Sequence, residues 1–110
     1  MTEFLAVYGT LAPGRENHWV LASLSGSWSA GTVRGRRVDG GWGSAYGYPG
    51  LLLDPAGDEI PVQVFESASL AAHWSALDAF EGAEYERVLA EVRTHDRRVL
   101  AHVYVLRDQS

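Results

Sequence analysis

A chain of 110 residues accommodates one domain. With 46% hydrophobic residues and four tryptophans it has the material for a packed core and does not read as disordered. The absence of cysteine excludes disulfides, thiolate nucleophiles and cysteine-ligated zinc or iron–sulfur centres, and removes any positive argument for secretion. The formal net charge is −5 and the basic residues are thinly spread, with local pairs only at Arg36–Arg37 and Arg97–Arg98, so a small neutral or cationic ligand is expected rather than a nucleic acid.

The N-terminus, "MTEFLAVYG", carries an early acid and no basic segment ahead of a long apolar run, so it does not read as a signal peptide. No stretch approaches the roughly 18 apolar residues needed to span a bilayer, and a cytoplasmic protein that does not engage a membrane is the expectation. "FLAVYG" (4–9) is a short apolar run stopped by glycine, which suits a buried strand. "TLAPGREN" reads as a loop, with Asn17 as the cap of a short helix through "HWVLASL". "GTVRGRRVDG" predicts a strand interrupted by Gly35, and the glycine-rich "DGGWGSAYGYPG" (39–50) a loop. "GLLLD" predicts a strand, "DPAGDE" a turn, and "IPVQVFE" a strand whose Pro61 belongs at an edge or bulge. "ESASLAAHWSALDAF" is the clearest helix, capped by Ser67 or Ser69. "ERVLAEVRT" and "RRVLAHVYVL" flank "HD" with strand-like alternation and predict a hairpin. Many strands and two helices in one small domain imply an α+β fold with a curled or closed sheet, because closure protects strand edges.

One residue breaks the helix pattern. At about 100° per residue, Leu70, Trp74 and Leu77 form a narrow apolar stripe, and Glu81 extends it. Glu81 also lies at the helix C-terminus, just before the stop signal Gly82, where the macrodipole disfavours negative charge. On pattern alone two readings stand. Glu81 is either a carboxylate at a frayed end, turned to solvent or paired with Arg87, or a carboxyl group aimed into an apolar pocket. Burial and the dipole would raise the pKa of the second and suit it to proton transfer near neutral pH. The neighbouring acids Asp78, Glu84 and Glu86 read as ordinary surface charge.

"VYGTLAPG" (7–14) with Asn17 downstream, and "LDAFEG" (77–82) followed by Tyr85 and Arg87, resemble the gamma-glutamylcyclotransferase-like family, nearest its small gamma-glutamylamine cyclotransferases and their bacterial relatives. "YPGL" (48–51) and "AHVYVL" (101–106) stand in the expected order, so the likeness covers nearly the whole chain. The resemblance implies a small mixed β-barrel of about five to seven strands with two helices packed outside. It also implies that Tyr8, Gly9, Thr10 and Leu11 bind the gamma-glutamyl group and that Glu81 is the catalytic acid/base. The stretch "APGREN" matches only generically the family's segment after the binding loop, and "GAEYER" is short compared with some relatives, so specificity for the leaving group does not carry over.

The implied reaction is an internal aminolysis that closes the gamma-glutamyl group to 5-oxoproline and releases an amine or amino acid. It needs no metal or cofactor, in keeping with the lack of cysteine and of any metal-spaced histidine pair. Gly9, ending a strand, lets backbone N–H groups approach a ligand closely, although "YGTL" alone is also what a plain strand end looks like. Tyr85 is a further substrate-binding candidate, equally readable as packing. Trp42 and Tyr46 sit in a segment readable as a lid or as a surface loop, Thr10 has no nearby base to make it a nucleophile, and His18, His73, His95 and His102 share no spacing. A non-catalytic module that binds gamma-glutamyl or related ligands is the alternative, and within the enzymatic reading a degradative role and removal of a glutamyl cap in biosynthesis both remain open. A monomer or weak homodimer is the expected state.

Overall fold

The computed structural model describes residues 3–8, 21, 24–38, 50–82 and 85–106. Among these residues six strands appear in chain order: β1 (Glu3–Val7), β2 (Ser27–Val38), β3 (Gly50–Leu53), β4 (Asp58–Ser67), β5 (Tyr85–Thr94) and β6 (Arg98–Leu106). Between β4 and β5 lie a 3-10 turn, Leu70–Ala72, and one α-helix, α1 (Trp74–Glu81). β2 pairs with β4, β4 with β1, β1 with β6 and β6 with β5, and β5 returns to β2 through Gly31↔Thr94 and Thr32↔Arg93. Five strands therefore close into a barrel, with β3 as an extra strand on the far end of β2. Every pairing is antiparallel except β1 with β6, so the barrel is mixed. The α+β barrel expected from the sequence is the fold observed.

Strand alternation gives the wall two apolar faces. Ala6, Val62, Val64, Val92, Ala101, Val103 and Val105 fill the barrel interior. From the same strands, Leu5, Val7, Phe65 and Tyr104 point outward and are covered by Leu21, Leu70 and Leu77. This second layer is what seats α1. Leu77 is 2% exposed, and cutting it to alanine would cost about 2–5 kcal/mol on the usual scale for buried leucine.

Local predictions meet the structure unevenly. The predicted hairpin is β5–β6, with Arg93 opposite Arg98. β2 is not interrupted at Gly35 but runs through it. Gly35 faces both Leu53 and Asp58, the point where the β3 and β4 registers meet, and a Cβ there would lie 2.4 Å from the Leu52 carbonyl oxygen. The glycine thus permits close approach inside a strand instead of ending it. Pro61 pairs across from Thr32 but falls outside the β1 ladder, which begins at Gln63. The predicted continuous helix is divided. His73 N–H bonds the Leu70 carbonyl, closing the 3-10 turn, and α1 begins only after His73. Neither serine caps α1: Ser67 donates its hydroxyl to the Ser25 carbonyl and accepts from Ser69 N–H, tying the end of β4 to the adjoining turn. The helix expected through "HWVLASL" and the glycine-rich segment lie largely outside the described residues.

Candidate active site

α1 is eight residues long, and its N-cap position, His73, makes no side-chain cap bond. A helix this short is marginal on its own, so tertiary anchors must hold it. Leu77 supplies the apolar anchor and Asp78 the polar one. Arg87 of β5 donates from Nε to Asp78 Oδ1 at 2.9 Å, and its terminal nitrogen reaches Oδ2 at 3.4 Å. Tyr104 of β6 donates its hydroxyl to the same Oδ1 at 2.7 Å. Arg87 and Tyr104 meet Asp78 together because they are opposite one another in the β5–β6 ladder, on the face turned toward α1.

The network continues along the barrel wall. Arg87 donates from Nη1 to His102 Nδ1 at 3.0 Å. A guanidinium has no acceptor, so Nδ1 must present its lone pair and the neutral imidazole carries its proton on Nε2. Burial, then the adjacent Arg87 charge, lowers the His102 pKa and keeps it neutral. Trp74 packs against both groups, with the Arg87 guanidinium carbon 4.4 Å from its ring centroid and the His102 ring 4.3 Å away. The Trp74 indole N–H donates to Glu3 of β1. His102 is thus half-buried and held within this network.

Glu81 lies one turn beyond Asp78 under the opposite conditions. The Arg87 bond, reinforced by Tyr104 and opposed by partial burial, lowers the Asp78 pKa and keeps that carboxylate ionised. Burial alone pushes Glu81 up to about 7. Among the described residues no side chain hydrogen-bonds Glu81, and Arg87, its candidate partner, is given to Asp78. The helix ends directly after it, at Gly82, where φ 89 and ψ 179 place the backbone in a region essentially reserved for glycine. Trp74, Leu77 and Glu81 do share the predicted stripe. Leu70 is buried beside them through the 3-10 turn, not through continuous helix.

Tyr8, immediately after β1, packs its ring on the barrel-interior cluster and donates its hydroxyl to the Tyr104 carbonyl at 2.6 Å. Gly9, Thr10 and Leu11 lie outside the described residues, as do Glu84, Trp42 and Tyr46. Tyr85 is half-buried and packs against the outer apolar layer. It lines a cleft of about 580 Å³ with Asp78, Ala79, Gly82, Glu86, Arg87 and Tyr104. Glu81 is not among the lining residues of that cleft. Glu86 is half-buried and pairs with Val105, a residue of the barrel interior, so it is not plain surface charge. Asp78 needs the larger correction. Although exposed, it organises a network from two strands, β5 and β6, where the sequence read as ordinary surface charge. The missed signal was strand parity, which sets Arg87 and Tyr104 on the helix-facing side of the hairpin. No group of three or more histidine, aspartate or glutamate side chains able to hold a metal occurs among the described residues. None of the described helices is long and apolar enough to cross a membrane.

The family model described as gamma-glutamyl cyclotransferase, AIG2-like, matches residues 5–110. The chain belongs to this family. Within solved structures, it is similar to YkqA from Bacillus subtilis, at 26% identity and TM-score 0.74, over 96% of this chain but 36% of YkqA. It therefore spans about a third of that protein's length. An AIG2-like protein from Mus musculus shares the fold at TM-score 0.78 and 23% identity, over 99% of this chain and 80% of the mouse chain. A structure named gamma-glutamyl cyclotransferase aligns at TM-score 0.68 and 15% identity, over 98% and 68% of the two chains. No curated protein sequence matches significantly. Membership of the gamma-glutamyl cyclotransferase family supports a cyclotransferase-type function.

Proposed function

We propose that this protein is a cyclotransferase of the gamma-glutamylamine type, with Glu81 as its general acid/base. The substrate's α-amine attacks its own γ-carbonyl carbon, forming the new C–N bond of 5-oxoproline, and the bond to the leaving nitrogen breaks. Glu81 takes a proton from the α-ammonium, which is not nucleophilic until it loses one, and delivers it to the departing nitrogen; the attacking nitrogen sheds a second proton by the same route as the ring closes, so the lactam forms neutral and the amine leaves as its ammonium. No net proton is consumed by the carboxyl group. Because nucleophile and electrophile belong to one molecule, folding the substrate into an attack geometry supplies part of the barrier reduction, up to about 7–11 kcal/mol in favourable intramolecular cases.

The observation that carries this reading is the placement of Glu81: a half-buried carboxyl group on an apolar stripe, without a hydrogen-bonding side chain among the described residues, and pushed up to about 7 by burial. A carboxyl group poised there both accepts and returns a proton efficiently at neutral pH. Tyr8, Gly9, Thr10 and Leu11 are assigned to holding the gamma-glutamyl group, and Tyr85 to the wall beside it. The test is 5-oxoproline release from gamma-glutamyl-lysine, gamma-glutamyl amino acids and glutathione, with wild type beside Glu81→Gln. Turnover retained in that variant removes Glu81 from the mechanism. Binding of these ligands without product in wild type makes the protein a binding module instead.

A further inference from the structure

Tyr104 makes two bonds in two directions. Its backbone carbonyl accepts from Tyr8, and its hydroxyl donates to Asp78, three residues before Glu81 on α1. We propose that Tyr104 is a positioning residue, setting the helix end that carries Glu81 against the barrel wall that also holds Tyr8. The inference rests on Glu81 being the acid/base, and it assigns how that group is held. Tyr104 is 4% exposed, so its ring is fixed in the layer between barrel and helix and its hydroxyl has little freedom. The phenol proton is committed to Asp78, and burial followed by the Asp78 bond drives the Tyr104 pKa upward. A hydroxyl so held is a poor proton donor to substrate and a good strut.

The strut matters because α1 cannot place itself. It lacks a side-chain cap, has no basic residue in its last turn and ends at Gly82, which has no side chain to brace it. Asp78 is one turn from Glu81, so slack at Asp78 displaces the catalytic carboxyl and opens its surroundings to water. Among the described residues, the charged and titratable groups lining the cleft at this helix end are Asp78 on α1, Tyr85, Glu86 and Arg87 on β5 and Tyr104 on β6.

Tyr104→Phe keeps the buried ring and the backbone carbonyl and removes only the bond to Asp78. The decisive measurement is the titration midpoint of the Glu81 side-chain carboxyl by ¹³C NMR in the folded protein, alongside kcat and KM. The expected result is a midpoint lowered by roughly one pH unit as Glu81 gains solvent, with kcat reduced about tenfold and KM within about twofold. A folded variant with unchanged midpoint and unchanged kcat overturns the proposal. The NMR midpoint needs no substrate, so absence of gamma-glutamyl turnover in wild type would defeat the catalytic reading while the midpoint still decides the positioning. Should Tyr104→Phe fail to fold, Asp78→Asn and Asp78→Ala replace it. Both remove the charge, but only alanine removes the acceptor, so a lower Glu81 midpoint in the alanine variant supports the strut and equal midpoints overturn it.

Discussion

Asp78 and Glu81 leave α1 within one turn of each other, yet the chain treats them as different chemical groups. Asp78 receives hydrogen bonds from Arg87 and Tyr104, which together hold it below its ordinary pKa although nearly half of its side chain is exposed. Glu81 receives none among the described residues, and burial lifts it from 4.5 to about 7. The contrast shows that hydrogen-bonding partners outweigh the burial penalty at Asp78, and that burial acts alone at Glu81. One helical turn thus holds an ionised anchor beside a carboxyl group that burial pushes up to about 7. Two acids whose environments push their pKa values apart are the general signature of a division of roles.

The comparison breaks most visibly on substitution. Glu81→Gln should lower kcat/KM for 5-oxoproline release by about 10²–10⁴-fold while circular dichroism and thermal melting show an intact fold. Asp78→Asn, if Asp78 is an anchor, should lose stability along with a smaller part of activity; indistinguishable kinetics for the two variants would erase the distinction. Gly82→Ala, which forces a side chain into a glycine-only conformation at the boundary after Glu81, should cost about 1–3 kcal/mol in denaturant melts. Arg87→Ala removes the partner of Asp78 and the cation over Trp74. Partial solvent access limits that loss to about 1–2 kcal/mol, read in the same melts.

The smallest effect lies in pH dependence, where the two acids have opposite signs. With Glu81 raised from 4.5 to about 7, the folded state binds more protons than the unfolded chain in that window, and stability falls as pH rises through it. Glu81→Gln should therefore match wild type near pH 4.5 and exceed it above pH 7, by on the order of 1 kcal/mol after allowance for solvent access. Asp78 is lowered, so its contribution is complete above its unfolded value and is lost on acidification through the folded one. If Glu81 is the base, the acidic limb of kcat/KM should fall near pH 7, and a limb near 4.5 would place Glu81 in water.

Much of the barrel was legible because strand alternation and turn chemistry are local properties. "LLL", "VQVF" and the paired runs around "HD" announced β3, β4 and the β5–β6 hairpin. The divided helix was less legible. Leu70 through Glu81 carries one apolar period, and nothing local distinguishes a 3-10 turn that delivers Leu70 to the core from an α-helix that does the same. Gly35 misled because the residue that breaks an isolated strand is also the one that permits close strand approach. In the candidate site, Glu81 was visible as an acid on an apolar stripe, whereas Asp78 was hidden, since its partners come from strands nine and twenty-six residues farther along the chain.

By itself, then, the sequence determined the periodicities, the turn positions and the identity of the one acid that violates its own helix. Periodicity is written residue by residue and needs no partner to be read. Only the tertiary structure decided that Arg87 belongs to Asp78 and not to Glu81, that Tyr104 links the Tyr8 segment to the helix, and that Glu81 is left to titrate near neutrality. Those outcomes depend on which side chains meet across the closed barrel and on how much water each retains, and neither quantity exists until the strands have closed.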